Sequence, residues 1–412
     1  MGVRESPLEN VDVSDIPPPF AGSFAGKRVV VTGHTGFKGS WLCEWLLSLG
    51  AEVTGLALEP DTTPSLFDKL GLRDRLNDVV GDIRSQETVS RVLAAAKPDF
   101  LFHMAAQPLV RRSYCEPVET WDTNVLGTIH VMEALRRLDK SCAAVCVTTD
   151  KCYENREWLW GYRETDPLGG HDPYSSSKAA AEIAVASWRR SFFQGPDKKV
   201  RLASARAGNV VGGGDWAEDR IVPDSMRALL RGESIKVRNP AATRPWQHVL
   251  EPLAGYLALA SALACRPDDA RLESAFNIGP DRESNRPVRD LVEAVCEAWP
   301  GRWEDLSDPH AVHEATLLHL DNAKAEALLG WRPTWAFDRT IDVTVAWYRD
   351  LRDSASPSAV AARTLQDIRA HEADARGRGV GWAVIPPLLA AGIRACLTVG
   401  LRPRSVTRSF GW

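Results

Sequence analysis

From residue 27 onward, short apolar runs alternate with longer segments of helical periodicity. Residues 27–32 form a candidate buried strand, and the apolar residues within 41–49 recur at the spacing of one helix face. Such alternation is typical of a parallel sheet covered on both faces, so it predicts an α/β fold with a doubly wound parallel sheet. Further strands are predicted at 52–58, 98–106, 143–149 and 200–205, and helices near 85–96, 117–138 and 175–193.

A glycine-rich turn separates the first predicted strand from the first helix, with Gly33, Gly36 and Gly39 at intervals of three. The glycines allow a tight turn and the close approach of a pyrophosphate, whose charge the helix N-terminus favours. The position of this turn, directly between a strand and a helix, predicts a dinucleotide site in a Rossmann-type fold.

Further cofactor contacts are expected where the next strands end. The second strand should end with an acid that binds the adenosine ribose of NAD, but the first acid there is Glu59, which is equally well a surface residue. This position therefore does not distinguish NAD from NADP. NAD is the predicted cofactor, and NADP is not excluded. Asp82 is either a turn residue or a contact to adenine. The predicted cofactor-binding residues are Gly33, Gly36, Phe37, Lys38, Gly39, Asp82, Ile83, Ala105, Ala106, Gln107, Asn124, Tyr174 and Lys178.

Two pairs of titratable residues carry the candidate chemistry. Tyr174 and Lys178 lie four residues apart on one predicted helix face, where a nearby ammonium lowers the pKa of a phenol and suits it to accept a proton from a sugar hydroxyl. Asp150 and Lys151 follow Thr149 at the carboxyl end of a central strand, where α/β sheets bind ligands. An exposed surface ion pair is the alternative for Asp150 and Lys151. Because oxidation alone needs no second pair, the two pairs predict oxidation and a further proton transfer on one substrate.

The alternation of predicted strands and helices becomes less regular beyond about residue 210. Asn209, Arg220 and Arg244 suit contacts to a phosphate or sugar, although solvation at the surface is the usual role of Arg. A strand at 274–279 is expected to return to the main sheet. The predicted organisation is a disordered N-terminal arm at 1–26, a dinucleotide-binding domain at 27–210, a smaller C-terminal substrate-binding lobe at 211–352 and a tail of unknown role at 353–412.

Composition narrows the classes of partner. Charged residues make up 25% of the 412 residues and the net charge is −4, which favours neither nucleic acid nor an anionic membrane. The nine His residues show no metal-ligand spacing, and the scattered Cys residues are typical of reduced thiols in a cytoplasmic protein. Residues 380–401 are apolar, but Pro386, Pro387 and Arg394 argue against a membrane-spanning helix.

Taken together, these motifs resemble the extended short-chain dehydrogenase/reductases and, within them, the CDP-glucose 4,6-dehydratases. The glycine turn and the Tyr174/Lys178 pair are common to the superfamily, whereas the runs 150–158 and 244–252 are specific to these dehydratases. The second run adds His248 to the expected substrate-binding residues. The resemblance covers about 27–350.

The resemblance implies conversion of CDP-D-glucose to CDP-4-dehydro-6-deoxy-D-glucose, a step of deoxysugar and surface-polysaccharide biosynthesis, with a nicotinamide cofactor regenerated in each turnover. It implies that Tyr174 accepts the proton of the 4-hydroxyl, that Lys178 holds the cofactor ribose and that Thr149 hydrogen-bonds the oxygen at C4. It further implies a homodimer or a dimer of dimers, built on helices from 117–138 and 175–193.

The elimination needs an acid at the 6-hydroxyl and a base at C5. By the resemblance, Asp150 is the acid if burial raises its pKa. Related enzymes that act on dTDP-glucose carry a Glu base at the position of Lys151. Here Lys151 is either a strongly desolvated neutral base or an electrostatic guide, with another residue or water removing the proton.

Two alternative functions stay open. A nucleotide-sugar 4-epimerase uses the same Tyr174/Lys178 oxidation, but it needs no acid/base pair at C5 and C6, so Asp150 and Lys151 argue against it. A non-catalytic dinucleotide-binding regulator needs only the cofactor half of the site, so the intact Thr149, Tyr174 and Lys178 argue against that function.

Overall fold

A computed structural model describes residues 18–195, 197–307, 318–352 and 356–384. Strands and helices alternate along the described chain in the order that the apolar pattern predicts. The strands are β1 Arg28–Thr32, β2 Glu52–Ala57, β3 Asn77–Val80, β4 Phe100–His103, β5 Cys142–Thr149, β6 Val200–Ala207, β7 Val210–Val211, β8 Ile235–Val237, β9 Thr243–Pro245, β10 Gln247–His248, β11 Ala275–Asn277, β12 Asn285–Pro287 and β13 Trp303–Asp305. The helices are α1 Phe37–Ser48, α2 Leu66–Lys69, α3 Gln86–Ala96, α4 Val110–Cys115, α5 Pro117–Trp121, α6 Gly127–Arg136, α7 Pro173–Phe192, α8 Ile221–Arg231, α9 Leu250–Cys265, α10 Val288–Ala298, α11 Ala323–Leu329, α12 Phe337–Asp350 and α13 Pro357–Gly377.

Seven parallel strands form the central sheet, in the order β11-β6-β5-β4-β1-β2-β3. The chain runs outward from β1 to β3 and then returns to β4 on the other side of β1, so the direction of winding reverses between β1 and β4. At such a point the loops after two adjacent strands diverge and leave a crevice for a ligand. This topology confirms the predicted Rossmann-type, doubly wound sheet.

The central strands are buried on both faces, which explains their continuous apolar character. Val29 and Val31 pack into the larger hydrophobic core on one face of the sheet, whereas Val30 packs into the second core on the opposite face. Every residue of β5 is buried. Register then brings the carboxyl ends of the strands to one edge, with Thr32 of β1 beside His103 of β4.

After β6 the chain builds a smaller region of paired short strands around helices α8, α10 and α12. The ladders are β7 with β10, β9 with β12 and β8 with β13. Strand β11 rejoins the central sheet beside β6. This region lies next to the carboxyl edge because β7 follows β6 directly in the chain.

Both ends of the described chain pack onto the fold. Phe20 and Phe24 are buried, in contrast to the disordered arm expected for 1–26, because packing their aromatic rings removes a large apolar surface from water. The backbone N–H of Phe20 donates to the carbonyl oxygen of Trp382 at 2.8 Å, and their rings stack at 4.9 Å. Residues 1–17 and 385–412, with most of the apolar stretch 380–401, lie outside the described residues. Within the described ranges no helix has the length and apolar character needed to cross a membrane.

A buried carboxylate ties the C-terminal helix α13 to the rest of the fold. Glu251 of α9 accepts hydrogen bonds from the backbone N–H groups of Thr334 at 2.9 Å and Trp335 at 2.7 Å. Its Oε1 also lies 3.0 Å from Nε2 of His371 in α13, and both side chains are almost completely buried. The segment expected to be a tail of unknown role therefore contains a helix that is docked through a polar contact in the core.

We expect Glu251→Gln to lower the free energy of unfolding by roughly 3 kcal/mol, because an amide NH2 replaces one of the two carboxylate oxygens that Thr334, Trp335 and His371 contact. Urea unfolding followed by tryptophan fluorescence measures this loss. Glu59→Gln is the matched control, since Glu59 is an exposed carboxylate paired with exposed Arg73. Equal losses in the two variants would contradict the role assigned to Glu251.

Candidate active site

The candidate residues converge at the carboxyl edge of the sheet, on both sides of the reversal point. The glycine turn follows β1, and Ala105, Ala106 and Gln107 follow β4. Thr149 ends β5, and a single 3-10 turn, Asp150–Cys152, comes directly after it. Helix α7 then carries Tyr174 and Lys178 back to this edge.

Helix α7 places Tyr174 and Lys178 one turn apart. Its first turn is capped by Asp172, whose carboxylate accepts from the backbone N–H of Ser175 at 2.9 Å and from its hydroxyl at 2.6 Å. Tyr174 and Lys178 are both buried, and Nζ of Lys178 lies 3.5 Å from the carbonyl oxygen of Val147 in β5. The pair therefore faces the end of β5 and not solvent.

The pKa of Tyr174 does not follow the expectation from the sequence. Burial raises the pKa of Tyr174 to about 12, although a hydrogen bond with the Thr149 hydroxyl acts in the opposite direction. Asp150 adds to the increase, and the cation that lowers this pKa is Arg220. Burial also lowers the pKa of Lys178 to about 8. Desolvation thus outweighs the effect of Arg220 on the phenol.

Asp150 and Lys151 are held within the site and are not a solvated surface pair. The Thr149 hydroxyl donates to Oδ1 of Asp150 at 3.0 Å and accepts from the backbone N–H of Lys151 at 3.3 Å. Asp150 is 1% exposed. Nζ of Lys151 lies 3.6 Å from Oδ1 of Asp150 and donates to Oδ1 of Asn209 at 3.1 Å. A Cβ on Gly208 would lie 2.4 Å from Oδ2 of Asp150, so a larger residue there would displace this carboxylate.

The glycine turn fits a dinucleotide pyrophosphate. Gly33 has a φ of +77°, and a Cβ there would lie 2.7 Å from the backbone nitrogen of Ala105. A Cβ on Gly39 would lie 2.1 Å from the carbonyl oxygen of Gly33. Helix α1 begins at Phe37, and Gly36 before it provides no side-chain cap. The first backbone N–H groups of α1 are thus available to an anion, with Gly36 exposed beside them.

Lys38 contacts the interior of the protein. Its Nζ donates to the hydroxyl of Tyr256 in α9 at 2.9 Å. Burial lowers the pKa of Lys38 to about 7, and the positive charges of Lys178 and Arg220 lower it further. Tyr256 was not identifiable from the sequence, because it lies in an apolar helix without a functional motif.

A cluster of charged side chains lies beside the glycine turn, near β2 and β3. Nε2 of His34 lies 2.8 Å from Oδ1 of Asp78, whose other oxygen accepts from Arg73 at 2.7 Å. Arg73 also donates to Glu59 at 2.7 Å. Glu59 is thus the exposed partner of an arginine. Asp82 forms an ion pair with Arg84 at 2.6 Å, and the adjacent Ile83 is buried.

Gln107 and Asn124 form hydrogen bonds within the protein. Oδ1 of Asn124 accepts from the backbone N–H of Gln107 at 2.8 Å, and Nδ2 donates to the carbonyl oxygen of Gln107 at 3.1 Å and to the Ser177 hydroxyl at 2.9 Å. The side chain of Gln107 donates to the Thr120 hydroxyl at 2.9 Å. These contacts attach the loop after β4 to helix α7, so both residues shape the crevice.

Of the four expected substrate-binding residues, only some lie near Lys151 and Tyr174. Asn209 contacts Lys151, and Arg220 pairs with Asp215 at 3.0 Å while its charge acts on Tyr174. Arg244 lies on β9 and donates to the carbonyl oxygen of Thr243 at 2.8 Å. His248 does not line the crevice, contrary to expectation. It is fully buried, with ring centroids 5.8 Å from Trp41 and 4.9 Å from Trp335, because β10 runs into the aromatic core.

Comparison with known proteins agrees with this arrangement. The model of the GDP-mannose 4,6 dehydratase family matches residues 30–344. A CDP-glucose 4,6-dehydratase of Salmonella typhimurium is 47% identical over 329 residues, which cover 79% of this chain and 91% of that protein. A dTDP-glucose 4,6-dehydratase of Streptomyces antibioticus is 31% identical over 343 residues, covering 79% of this chain and 93% of that protein.

Solved structures show the same fold at low identity. The dTDP-glucose 4,6-dehydratase of Streptomyces venezuelae, solved with NAD bound, superposes with a TM-score of 0.67 at 24% identity and covers 79% of this chain and 98% of its own. The UDP-glucose 4-epimerase of Thermotoga maritima, solved with UDP-glucose, gives a TM-score of 0.67 at 22% identity, with 78% and 98% covered. Because dehydratases and epimerases superpose equally well, the fold alone does not separate the two activities.

The lowered pKa of Lys178 predicts a pH-dependent stability. Its pKa is about 8 in the folded chain and near 10.5 in the unfolded chain, so unfolding takes up a proton between these values. The free energy of unfolding therefore rises with pH between about 8 and 10, by at most about 1.4 kcal/mol per pH unit. We expect Lys178→Met to lack this rise, so that its stability relative to wild type falls as the pH increases. Urea unfolding of the nucleotide-free protein across this range measures the difference.

Lys199→Met is the control for this experiment, because Lys199 is an exposed lysine paired with exposed Asp139. Its difference from wild type should not change with pH. A constant difference for Lys178→Met as well would contradict the lowered pKa.

Proposed function

The chain belongs to the GDP-mannose 4,6-dehydratase family, and from this premise we propose that it converts CDP-D-glucose to CDP-4-dehydro-6-deoxy-D-glucose, as a hydro-lyase of deoxysugar and surface-polysaccharide biosynthesis. The observation that carries the proposal is the buried Asp150, held with Lys151 next to Thr149 and Tyr174 at one strand end. Similarity to the Salmonella CDP-glucose enzyme supports the choice of CDP-glucose. In this proposal residues 27–210 bind the dinucleotide and 211–352 bind the nucleotide sugar.

NAD is the proposed cofactor, held at the turn of Gly33, Gly36 and Gly39 and, through its ribose, by Lys178. Bound there, NAD supplies a hydride acceptor for C4 and the hydride that returns to C6. Tyr174 accepts the proton of the 4-hydroxyl, and Thr149 hydrogen-bonds the same oxygen. Because burial raises the pKa of Tyr174 even with Arg220 nearby, proton acceptance depends on positive charge beyond that of Arg220 near the phenol.

The second half of the reaction is assigned to Asp150 and Lys151. The 4-keto group acidifies the C5 proton. Water or a residue other than Lys151 accepts that proton, the 6-hydroxyl leaves as water after protonation, and an enone results. We assign Asp150 as the acid for the leaving 6-hydroxyl. Nζ of Lys151 lies between the Asn209 amide oxygen and the Asp150 carboxylate. An ammonium held by two oxygen acceptors suits stabilisation of the negative charge that forms when C5 is deprotonated.

Incubation of the purified protein with CDP-glucose and NAD tests the proposal directly. We expect a 4-keto-6-deoxy sugar, detected by its absorbance in alkali, and a slower reaction with dTDP-glucose and GDP-mannose. CDP-galactose in place of that product would instead identify a 4-epimerase. The absence of both products would reject a nucleotide-sugar reaction at this site.

Lys151→Ala separates the two half-reactions. We expect cofactor reduction in a single turnover to persist while formation of the 4-keto-6-deoxy product falls by on the order of 10²-fold, so that a 4-keto hexose intermediate accumulates. The exposed Lys236 supplies the control variant Lys236→Ala, which should behave as wild type. Loss of cofactor reduction in Lys151→Ala would show that Lys151 acts before elimination.

We also propose a homodimer, alone or paired into a dimer of dimers. Large apolar side chains are exposed on the mutually packed helices α5 and α7 and on the turn between α5 and α6, namely Val118, Trp121, Leu126, Ile183 and Phe192. An exposed apolar surface of this kind is typical of an interface. Sedimentation equilibrium should give the mass of at least two chains, and Trp121→Arg should shift it towards one. A monomeric wild type would contradict this assembly.

The cytoplasm is the proposed location. The seven cysteines in the described residues are free thiols, as expected in a reducing compartment.

A further inference from the structure

A buried hydrogen-bond network lies behind the two candidate acid/base pairs. Its centre is Glu182, which follows Lys178 by one turn of α7 and is 2% exposed. Its carboxylate accepts from the hydroxyls of Thr148 at 2.6 Å and Ser204 at 2.9 Å and from Arg206 at 2.8 Å. Although burial by itself would raise the pKa of Glu182, the charge of Arg206 and these hydrogen bonds hold it below its ordinary value.

Arg206 of β6 extends the network to the turn after β5. Its Nη1 donates to the hydroxyl of Tyr153 at 2.7 Å, and its guanidinium lies 4.9 Å from the centre of that ring. The Tyr153 hydroxyl donates in turn to Oδ1 of Asn277 in β11 at 2.7 Å. Tyr153 directly follows the 3-10 turn Asp150–Cys152, so the network joins that turn to helix α7 through Arg206 of β6.

The chemistry of these groups indicates a role in geometry. A buried ion pair such as Glu182–Arg206 contributes little to stability compared with apolar residues of similar volume. A network whose carboxylate and hydroxyl groups are matched by partners does, however, favour a single arrangement of the elements it joins. The Tyr153 hydroxyl is occupied by Arg206 on one side and Asn277 on the other, so it acts through these neighbours and not on a substrate.

We propose that Tyr153, together with Arg206 and Glu182, is a positioning residue that keeps the Asp150-Lys151 turn in register with Tyr174 and Lys178. The inference rests on the proposed dehydratase function. Oxidation depends on α7 and Thr149, whereas elimination also requires the Asp150 carboxyl to lie at the 6-oxygen of the same sugar. A small displacement of the turn therefore slows elimination more than oxidation.

Tyr153→Phe tests this selectivity, because it removes one hydroxyl and keeps the ring. In a single turnover with CDP-glucose, we expect cofactor reduction to stay within about twofold of wild type. We expect formation of the 4-keto-6-deoxy product to be about tenfold slower, with accumulation of the 4-keto hexose intermediate. The ratio of the two rates is a readout that a general loss of stability would not change.

Tyr162→Phe is the matched control. The ring of Tyr162 stacks on that of Tyr153 at 5.1 Å, but its hydroxyl donates to Asn155 and accepts from the backbone N–H of Arg156. The variant therefore removes a neighbouring hydroxyl that does not contact Arg206, and the ratio of elimination to oxidation should equal that of wild type.

Arg206→Lys gives a second test that does not depend on the folding of Tyr153→Phe. A lysine keeps the charge opposite Glu182 but lacks the fork that also reaches Tyr153, so it should slow elimination selectively in the same way. An unchanged ratio of elimination to oxidation would overturn the positioning role, whether both steps keep their rates or both are slowed equally. Wild type that forms no 4-keto-6-deoxy product would instead reject the proposed function itself, which distinguishes the two failures.

Discussion

The contact between Gly33 and the loop after β4 is the constraint on which the rest of the site depends. A side chain at Gly33 would lie 2.7 Å from the backbone nitrogen of Ala105, so only glycine lets the two loops lie this close at the point where the sheet reverses its winding. The Thr32 hydroxyl supports the same approach by accepting from the backbone N–H groups of Met104 and Ala105. This close approach places the first turn of α1 beside the carboxyl end of β4, where a pyrophosphate can reach backbone N–H groups.

The second constraint is the burial of charge around β5. Asp150, Lys178 and Glu182 occupy positions with little solvent, and such groups are costly to bury without partners. Each has one: Asp150 accepts from Thr149, Glu182 pairs with Arg206, and Lys178 faces the carbonyl oxygen of Val147. The chemistry proposed for the crevice therefore also depends on polar contacts made beneath it, such as that of Glu182 with Arg206.

Short sequence motifs were sufficient to predict the parts of the site whose geometry follows from the spacing of residues along the chain. Gly33, Gly36 and Gly39, and the pair Tyr174 and Lys178, could be predicted because a turn or a single helix face fixes their relation. The expected contact of His248 with the substrate was wrong, because the motif gives no information about which face of β10 meets the aromatic core. The expected lowering of the pKa of Tyr174 was wrong, because desolvation raises this pKa by more than one nearby cation lowers it. Desolvation depends on all the elements that surround the phenol.

The sequence by itself determined the alternation of strands and helices, the glycine turn and the two titratable pairs, because these follow from apolar periodicity and short-range spacing. Only the tertiary structure decided that Arg206 reaches Tyr153, that Lys38 meets Tyr256 and that α13 docks through Glu251 and His371. These contacts join residues far apart in the chain. The register of neighbouring strands and the need to satisfy each buried polar group select them, and neither is a property of a local stretch of residues.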